Sequence, residues 1–381
     1  MRIAINTRFL IPGKMEGIGL FTQEVAKRLV ERRPQDKFLF LFDRPFDSEF
    51  IFADNVEAKV VFPPARHPFL WYLWFERAIP KVLRQWKADV FFSPDGYVSL
   101  RSKVPTVLVT HDLAFEHYPE QVPYLASTYY RHFVPKFHSR AEQVVSVSEY
   151  TSQDIIRTYG IDSTKVATAC NGVRTPFKPL SGNEIAAVQA QYADGRPYFF
   201  YVGAVHPRKN VDRLIRAFSE FKKASGSDTK LLIAGRFAWQ SESVRTAYEQ
   251  SAYQNDIKLL GYLSGEALGQ VLGAARALTY VSLFEGFGVP LLEAMYAEVP
   301  IISSNVSSMP EVCGTAGLLV DPTSIEAISQ AMQQLDSTPS LRQKLVDQGR
   351  IQRTKFSWDK ATDIIEESIF RALQGKLLNK K

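Results

Sequence analysis

The stretch ALTYVSLFEGFGVPLLEAMYA, residues 277–297, holds the local pattern from which the fold can be predicted. It begins with a short apolar run typical of a buried β-strand and ends with the helical pattern LLEAMYA. Between them, FEGFGVP forms a loop whose two glycines allow backbone conformations closed to other residues. Pro290 suits the first position of a helix, where its missing N–H costs nothing. The stretch therefore predicts a strand, a tight loop and a helix, the repeating unit of parallel α/β proteins.

The same alternation of short apolar runs and helical patterns extends over most of the 381 residues. Thirteen strands are predicted, seven before and six after a Pro- and Gly-bearing linker at 171–184: 2–9, 38–43, 58–62, 89–94, 106–112, 143–148 and 165–170, then 198–203, 230–235, 257–262, 277–283, 300–305 and 317–321. We expect an α/β protein with two facing, Rossmann-like, doubly wound domains and a cleft between them. The domains are predicted at 1–178 and 190–357, with a helix over 358–375 returning to the first.

Composition narrows the class of protein. With 45% hydrophobic and 23% charged residues, the chain is typical of soluble globular proteins. The net charge of +6 suits anionic small molecules or serves solubility alone, and it is too small to indicate nucleic-acid binding. Cys170 and Cys313 form no CxxC motif, so neither a disulfide framework nor a structural zinc site is expected. Without a secretory signal or an apolar run of about 18 residues, the chain is expected to be cytoplasmic.

The loop and helix start at 284–293 form a candidate anion site. A helix start offers free backbone N–H groups and partial positive charge, which favour a phosphate. Glu285 in the loop and Glu293 near the helix start flank this site, and carboxylates can accept hydrogen bonds from paired sugar hydroxyls. The alternative is that both glutamates only interact favourably with the helix dipole.

A second candidate loop is VGAVHPRKNVDRLIRAF, residues 202–218, where Gly203 ends a strand and Asn210 is a candidate helix cap. Arg208 and Lys209 lie on this loop, where their cations could bind phosphate oxygens. A solvated pair of surface charges is the alternative.

The first half of the chain offers weaker signals. Gly17 and Gly19 open a helix after the first strand, but their spacing is not that of a dinucleotide-binding loop, and a plain tight turn is the alternative. His111 and Asp112 end a predicted strand, where a histidine can bind a hydroxyl or move a proton. The aromatic and basic segment 67–87 suits either a helix packed on a sheet or a helix at a membrane surface.

With these motifs, the chain resembles a retaining glycosyltransferase of the family 4 type, which has the GT-B fold. The resemblance covers nearly the whole chain and depends on EGFGVPLLE, VGAVHPRKN, THDL and the glycine loop ending EGIG. The family often has GGIG in that loop, whereas Glu16 precedes Gly17 here. A carboxylate there could repel a donor phosphate, which weakens the assignment of Gly17 to phosphate contact.

The resemblance implies a role for each matching residue. Catalysis would involve four side chains: Glu285 would hold the transferred sugar, Arg208 and Lys209 would neutralise the leaving nucleoside diphosphate, and His111 would lie beside the anomeric centre or the acceptor hydroxyl. Asp112 would lie on the acceptor side. The donor would be bound by Glu293 at the ribose, by Arg236 near the base, by the backbone of Phe287, Gly288 and Val289, and by the glycine loops at Gly17, Gly19 and Gly203.

Family members of this type generally retain anomeric configuration and need no metal or other cofactor. The expected partners are a GDP- or UDP-linked sugar and a glycan or lipid-linked acceptor, with peripheral contact at the inner face of a membrane as a further expectation. The motifs VSLFEGFGVP and HDLAFEHYP are similar to bacterial mannosyltransferases of surface polysaccharide synthesis, which favours GDP-mannose. A nucleotide-sugar epimerase of the same fold and a non-catalytic subunit in envelope polysaccharide assembly are the alternatives.

Overall fold

The computed structural model of the protein describes residues 1–13, 15, 17–174, 177–236, 242–263 and 265–378. In these residues the chain divides into two compact units, Met1–Asn171 with Ser357–Lys381 and Gly172–Phe356. Each unit is built on one parallel sheet, of seven strands in the first and six in the second, so all thirteen predicted strands occur. Among the described residues, no helix is both long enough and apolar enough to cross a membrane.

The sheet of the first unit has the strand order β3-β2-β1-β4-β5-β6-β7, with all pairs parallel. Its strands β1–β7 are Arg2–Asn6, Lys37–Phe42, Val56–Val60, Val90–Ser93, Thr106–Thr110, Gln143–Ser146 and Val166–Thr168. Its helices α1–α6 are Gly17–Arg32, Pro68–Leu73, Ile79–Trp86, Ala114–His117, Tyr124–Arg140 and Glu149–Tyr159. Strands β2, β4 and β5 are buried almost throughout, because helices cover both faces of such a sheet, whereas the edge strand β3 is largely exposed.

The sheet of the second unit has the order β10-β9-β8-β11-β12-β13, again with all pairs parallel. Its strands β8–β13 are Tyr198–Val202, Lys230–Ala234, Ile257–Gly261, Ala277–Tyr280, Ile301–Ser304 and Gly317–Val320. Helices α7–α14 are Gly182–Ala193, Val211–Ser225, Glu242–Glu249, Gly265–Gly273, Val289–Tyr296, Met309–Cys313, Ile325–Ser337 and Pro339–Gln352.

Each sheet contains a point where the direction of strand order reverses, between β1 and β4 in the first unit and between β8 and β11 in the second. The loops that follow these strands diverge to opposite faces of the sheet and leave a crevice at its carboxyl edge, where ligands of open α/β folds bind. Loop residues after β1, β4, β8 and β11 are therefore the first candidates for a functional site.

The segment after β3 packs in the core of the first unit. Trp74, Phe75 and Ile79 are fully buried, as expected of a helix covering a sheet. A π-helical turn, Trp74–Ala78, separates α2 from α3. Pro80 has no N–H to donate to the carbonyl four residues earlier, so a regular helix cannot continue through it, whereas Ile79 N–H reaches the Trp74 carbonyl.

The last helix, α15 (Trp358–Leu378), belongs to the first unit and packs against α1 and the sheet. Trp358 contacts the Phe21 ring edge-to-face at 6.0 Å. On the outer side, Arg32 donates to Asp359 at 2.6 Å and to Asp363 at 2.7 Å. The chain passes from the first unit to the second after residue 171 and returns to the first at residue 357, whereas the predicted domains are 1–178 and 190–357.

Candidate active site

The loops after β8 and β11 are joined at the strand-order reversal of the second unit. Pro207–Lys209 forms a single 3₁₀ turn after β8, and the Arg208 carbonyl accepts a hydrogen bond of 2.8 Å from the Leu283 N–H in the loop after β11. This backbone contact brings the two cations of one loop next to the carboxylate of the other.

Glu285 is the centre of this group, with its side chain 8% exposed. Lys209 Nζ donates to Oε1 and Arg208 Nη1 donates to Oε2 at 3.1 Å. The Tyr280 hydroxyl adds a third hydrogen bond to Oε1, at 2.8 Å. Three of the residues predicted from different parts of the chain, Glu285, Arg208 and Lys209, are thus in direct contact, together with a tyrosine that the sequence did not indicate.

The charges in this group decide the ionisation of Glu285. Burial by itself would raise the pKa of Glu285, but the Lys209 and Arg208 cations outweigh it and lower the pKa to about 2. Burial and the neighbouring carboxylate raise the pKa of Tyr280 well above its ordinary value, so the phenol stays protonated and donates. The group of two cations and one carboxylate therefore carries one net positive charge at neutral pH.

The backbone of Glu285 is held by the loop after β12. Its N–H donates to Ser307 Oγ at 3.2 Å, and its carbonyl accepts from Ser308 Oγ at 2.9 Å. Sequence reasoning missed both serines, because an isolated Ser-Ser pair in a loop gives no sign of what it contacts.

Helix α11 begins directly after this loop, as the sequence predicts. Gly288 has φ +95°, a left-handed conformation that favours glycine, and a Cβ there would displace the end of the Met309 side chain, whose Cε would lie 2.4 Å away. Phe287 points into the core and contacts Phe356 edge-to-face at 5.5 Å. The Phe287 side chain is buried, whereas that of Val289 at the helix start is half-buried.

Glu293 is almost fully buried on α11, and its charged partner is Arg174 in the linker, at 3.8 Å between Nε and Oε1. Burial raises the pKa of Glu293 to about 7, and Arg174 only partly opposes this. The two glutamates of the motif therefore differ: Glu285 is firmly ionised, whereas Glu293 titrates near neutrality. Sequence reasoning did not identify Arg174, which lies more than 100 positions from Glu293.

The glycines after β8 and β9 allow two loops to touch. Gly203 has φ +149°, and a Cβ built on Gly235 would lie 1.8 Å from the Gly203 carbonyl oxygen. The Arg236 carbonyl accepts a hydrogen bond of 2.8 Å from the Val205 N–H, and Arg236 is exposed to solvent. Asn210 precedes α8, but its side chain does not cap the helix, because its Oδ1 accepts from Arg213 Nη1 at 2.8 Å. Its Nδ2 donates to the Val281 and Pro322 carbonyls at 2.9 and 2.7 Å.

The predicted residues of the first half lie in the first unit. His111 follows β5 and uses Nε2 to bind the Pro94 carbonyl at 2.8 Å, which requires the hydrogen on Nε2 and leaves Nδ1 as an acceptor. Burial lowers the pKa of His111, so the imidazole is neutral at pH 7. Asp112 accepts a hydrogen bond of 3.0 Å from Ala114 N–H, so part of its carboxylate is used in starting α4.

Gly17 and Gly19 both lie in the first turn of α1. A Cβ on Gly19 would lie 2.6 Å from the Phe9 carbonyl, so this glycine is needed for the close approach of the helix to the loop after β1. Gly17 is exposed with open space around it. Glu16, which departs from the family motif, lies outside the described residues.

Both halves of the chain match models of known families. The model described as Glycosyltransferase Family 4 matches residues 15–176, and the model described as Glycosyl transferases group 1 matches residues 184–352. The chain is a family 4 type glycosyltransferase with the GT-B fold. This glycosyltransferase is 28% identical over 359 residues to O-antigen chain mannosyltransferase B of Escherichia coli, covering 91% of this chain and 94% of that protein.

Two further relatives support the same assignment. O-antigen chain mannosyltransferase RfbU of Salmonella typhimurium is 27% identical over 274 residues, which are 71% of this chain and 72% of that protein. The structure of Anabaena Alr3699/HepE in complex with UDP-glucose aligns with a TM-score of 0.76 over 97% of this chain and 99% of that chain, at 16% identity. The predicted fold class and family are thus confirmed. In the part of the chain that the structure describes, no group of three or more His, Cys, Asp or Glu residues could hold a metal ion.

Proposed function

We propose that this glycosyltransferase moves a hexosyl group, mannose from GDP-mannose, to a glycan or lipid-linked acceptor in surface polysaccharide synthesis, with retention of configuration. The observation that carries the proposal is the contact of Arg208 and Lys209 with Glu285 at the strand-order reversal of the second unit. The names of the two O-antigen mannosyltransferases among its relatives favour mannose as the sugar.

The cations act on the leaving group. As the bond between the sugar and the diphosphate breaks, negative charge develops on the phosphate oxygens. Arg208 and Lys209 are already oriented by Glu285, so they can stabilise this charge without reorganising at the moment of reaction. The partial positive charge at the start of α11 adds further stabilisation. Because two cations supply this stabilisation, we propose that the reaction needs no divalent metal.

The remaining site residues bind the donor and the acceptor. Glu293 in its ionised form accepts hydrogen bonds from the ribose hydroxyls, while the backbone beside Gly203 and Arg236 borders the base. His111, neutral and with Nδ1 available as an acceptor, binds a hydroxyl of the sugar or the acceptor. Its neighbour Asp112 lies on the acceptor side.

A donor screen tests the substrate. The purified protein is incubated with GDP-mannose, UDP-glucose and UDP-galactose, with and without a mannose-containing lipid-linked acceptor, and the products are identified by mass spectrometry and NMR. We expect transfer or slow hydrolysis of GDP-mannose, with an α-linked product. Turnover of a UDP-sugar alone would refute the mannose assignment, and isomerised nucleotide sugar without an acceptor would indicate an epimerase. Donor binding with neither transfer nor hydrolysis would indicate a non-catalytic subunit.

The role of the cations is tested by Lys209→Ala, with the exposed surface residue Lys223→Ala as the matched control. Loss of one preorganised contact to the developing charge is expected to lower kcat about 10²–10³-fold. The donor Kd from calorimetry should change much less, and the control should match the wild type. Unchanged kcat in Lys209→Ala would show that the leaving group is stabilised elsewhere.

A further inference from the structure

The first unit contains a cavity of about 210 Å³ that the donor site does not use. It lies at the strand-order reversal of the first sheet, because Arg8 and Phe9 follow β1 and Tyr97 follows β4. Its walls combine three arginines with aromatic rings, principally Arg8, Arg44, Arg66, Trp71, Tyr97 and Tyr130. A cavity with these walls at this edge of an α/β sheet is a natural place for a ligand.

The inner end of the cavity is a buried arginine. Arg8 is 5% exposed, its Nε donates to Asp95, and its guanidinium lies 4.4 Å from the centre of the Tyr97 ring. Burial would lower the pKa of Arg8, but Asp95 and Tyr97 outweigh it and raise the pKa, so the group stays charged. Arg8 hydrogen-bonds Asp95 through Nε and also hydrogen-bonds the Tyr97 side chain, so its guanidinium is held in place as part of the cavity wall.

Two further arginines lie nearer the opening. Asp43 holds Arg44 through two hydrogen bonds, of 2.6 Å to Nε and 3.0 Å to Nη2, and also accepts from Ala65 N–H at 3.0 Å. Arg66 is exposed, and none of the ion pairs among the described residues includes it. The cavity therefore has one net positive charge, from three cations (Arg8, Arg44 and Arg66) and two carboxylates (Asp43 and Asp95).

The aromatic wall is held by a hydrogen bond and a ring contact of Trp71. Trp71 Nε1 donates to the Ala65 carbonyl at 3.0 Å, and its indole stacks on Tyr130 with ring centres 5.7 Å apart and planes 5° apart. Such a wall suits the apolar face of a sugar ring, with the arginines placed around it. At about 30 Å³ for each water, the cavity has room for roughly seven waters, which is enough for one substituted sugar ring.

We propose that this cavity binds the acceptor through an anionic group on a sugar, either a phosphate on its reducing end or the carboxylate of a uronic acid. The proposal rests on the proposed transferase function and adds the charge of the acceptor to it. Guanidinium groups only donate, and their planar geometry matches phosphate and carboxylate oxygens, which only accept. A neutral sugar gains nothing from the one net positive charge of the cavity, whereas an anion is attracted by it.

Calorimetric titration of the full-length protein with glucose 1-phosphate, glucuronic acid and glucose tests the proposal. We expect at least one of the two anions to bind more than tenfold more tightly than glucose, and the stronger of the two identifies the source of the charge. Arg66→Gln should weaken the anion about tenfold through loss of one charge-assisted contact. Arg84→Gln, an exposed arginine on α3 outside the cavity, is the matched control and should bind as the wild type does.

Two outcomes would overturn the proposal. One is equal binding of glucose and both anions. The other is anion binding that is lost in Lys209→Ala but kept in Arg66→Gln, since the anion would then occupy the donor site. Hydrolysis of the sugar donor is measured on the same preparations: if it is present while anion selectivity is absent, the inference about the cavity fails alone. If hydrolysis and transfer are both absent, the proposed function fails.

Discussion

Replacing Glu293 by glutamine should stabilise the ligand-free protein while weakening its binding of the donor. Burial raises the pKa of Glu293 from an ordinary value of 4.5 to about 7. At about 1.4 kcal/mol for each pH unit between the two values, ionising this carboxyl costs the folded state about 3 kcal/mol. Glutamine has nearly the same shape and never ionises, so it avoids this cost.

The sign of the pH dependence follows from which state of the chain, folded or unfolded, loses the Glu293 proton first as pH rises. Below pH 4.5, Glu293 is protonated in both the folded and the unfolded chain, so its ionisation takes nothing from the free energy of unfolding. Between pH 4.5 and 7 the unfolded chain releases the proton and the folded protein keeps it, so the free energy of unfolding falls as pH rises. The advantage of Glu293→Gln over the wild type should therefore grow from less than about 1 kcal/mol at pH 5 to about 3 kcal/mol at pH 8.

Donor binding should show the opposite dependence. If the ribose hydroxyls donate to the Glu293 carboxylate, the ionised form binds the donor, and donor affinity falls about tenfold for each pH unit below 7. In Glu293→Gln the affinity should be lower at pH 8 and nearly independent of pH. Glu266→Gln, which removes an exposed glutamate from α10 of the same unit, serves as the control.

Urea unfolding of the wild type and of Glu293→Gln at pH 5 and pH 8 gives the difference in their free energies of unfolding. The transition to be used is the one that shifts when nucleotide is added. Calorimetric titration with the donor at pH 6, 7 and 8 gives the affinities. A stability difference that is the same at both pH values would refute the high pKa of Glu293. A donor affinity with the same pH dependence in wild type and variant would refute its role in binding.

Two other substitutions probe the loops. Gly235→Ala places a Cβ against the carbonyl of the neighbouring glycine loop, so we expect a loss of about 1–3 kcal/mol and weaker donor binding. Gly182→Ala, at a helical glycine with open space around it, should not destabilise, and equal melting temperatures for the two variants would contradict the close contact. His111→Gln can keep the hydrogen bond to the Pro94 carbonyl but loses the ring nitrogen that would bind the sugar or acceptor hydroxyl, so turnover should fall. Full activity would exclude a catalytic role for the ring.

Much of the fold can be predicted from the sequence because parallel α/β proteins repeat one local pattern. Each strand is a short apolar run, and each turn carries its own glycine, proline or polar residues, so periodicity identifies the elements one at a time. The errors occur at element ends. For example, the first strand ends at Asn6 rather than at residue 9, because the chain turns at Thr7–Leu10 and directs Arg8 to Asp95.

Which side chains meet was decided by tertiary structure alone. The EGFGVPLLE motif by itself predicted a helix start flanked by two glutamates, and this local part is present. Glu285 is ionised because Arg208 and Lys209 contact it, whereas Glu293, paired with Arg174 among the described residues, titrates near neutrality. This difference depends on burial and on residues distant in the chain. The cluster around Arg8 is a second example. Local sequence determines backbone preferences, but the pKa of a buried group depends on charges brought to it by the order of the strands.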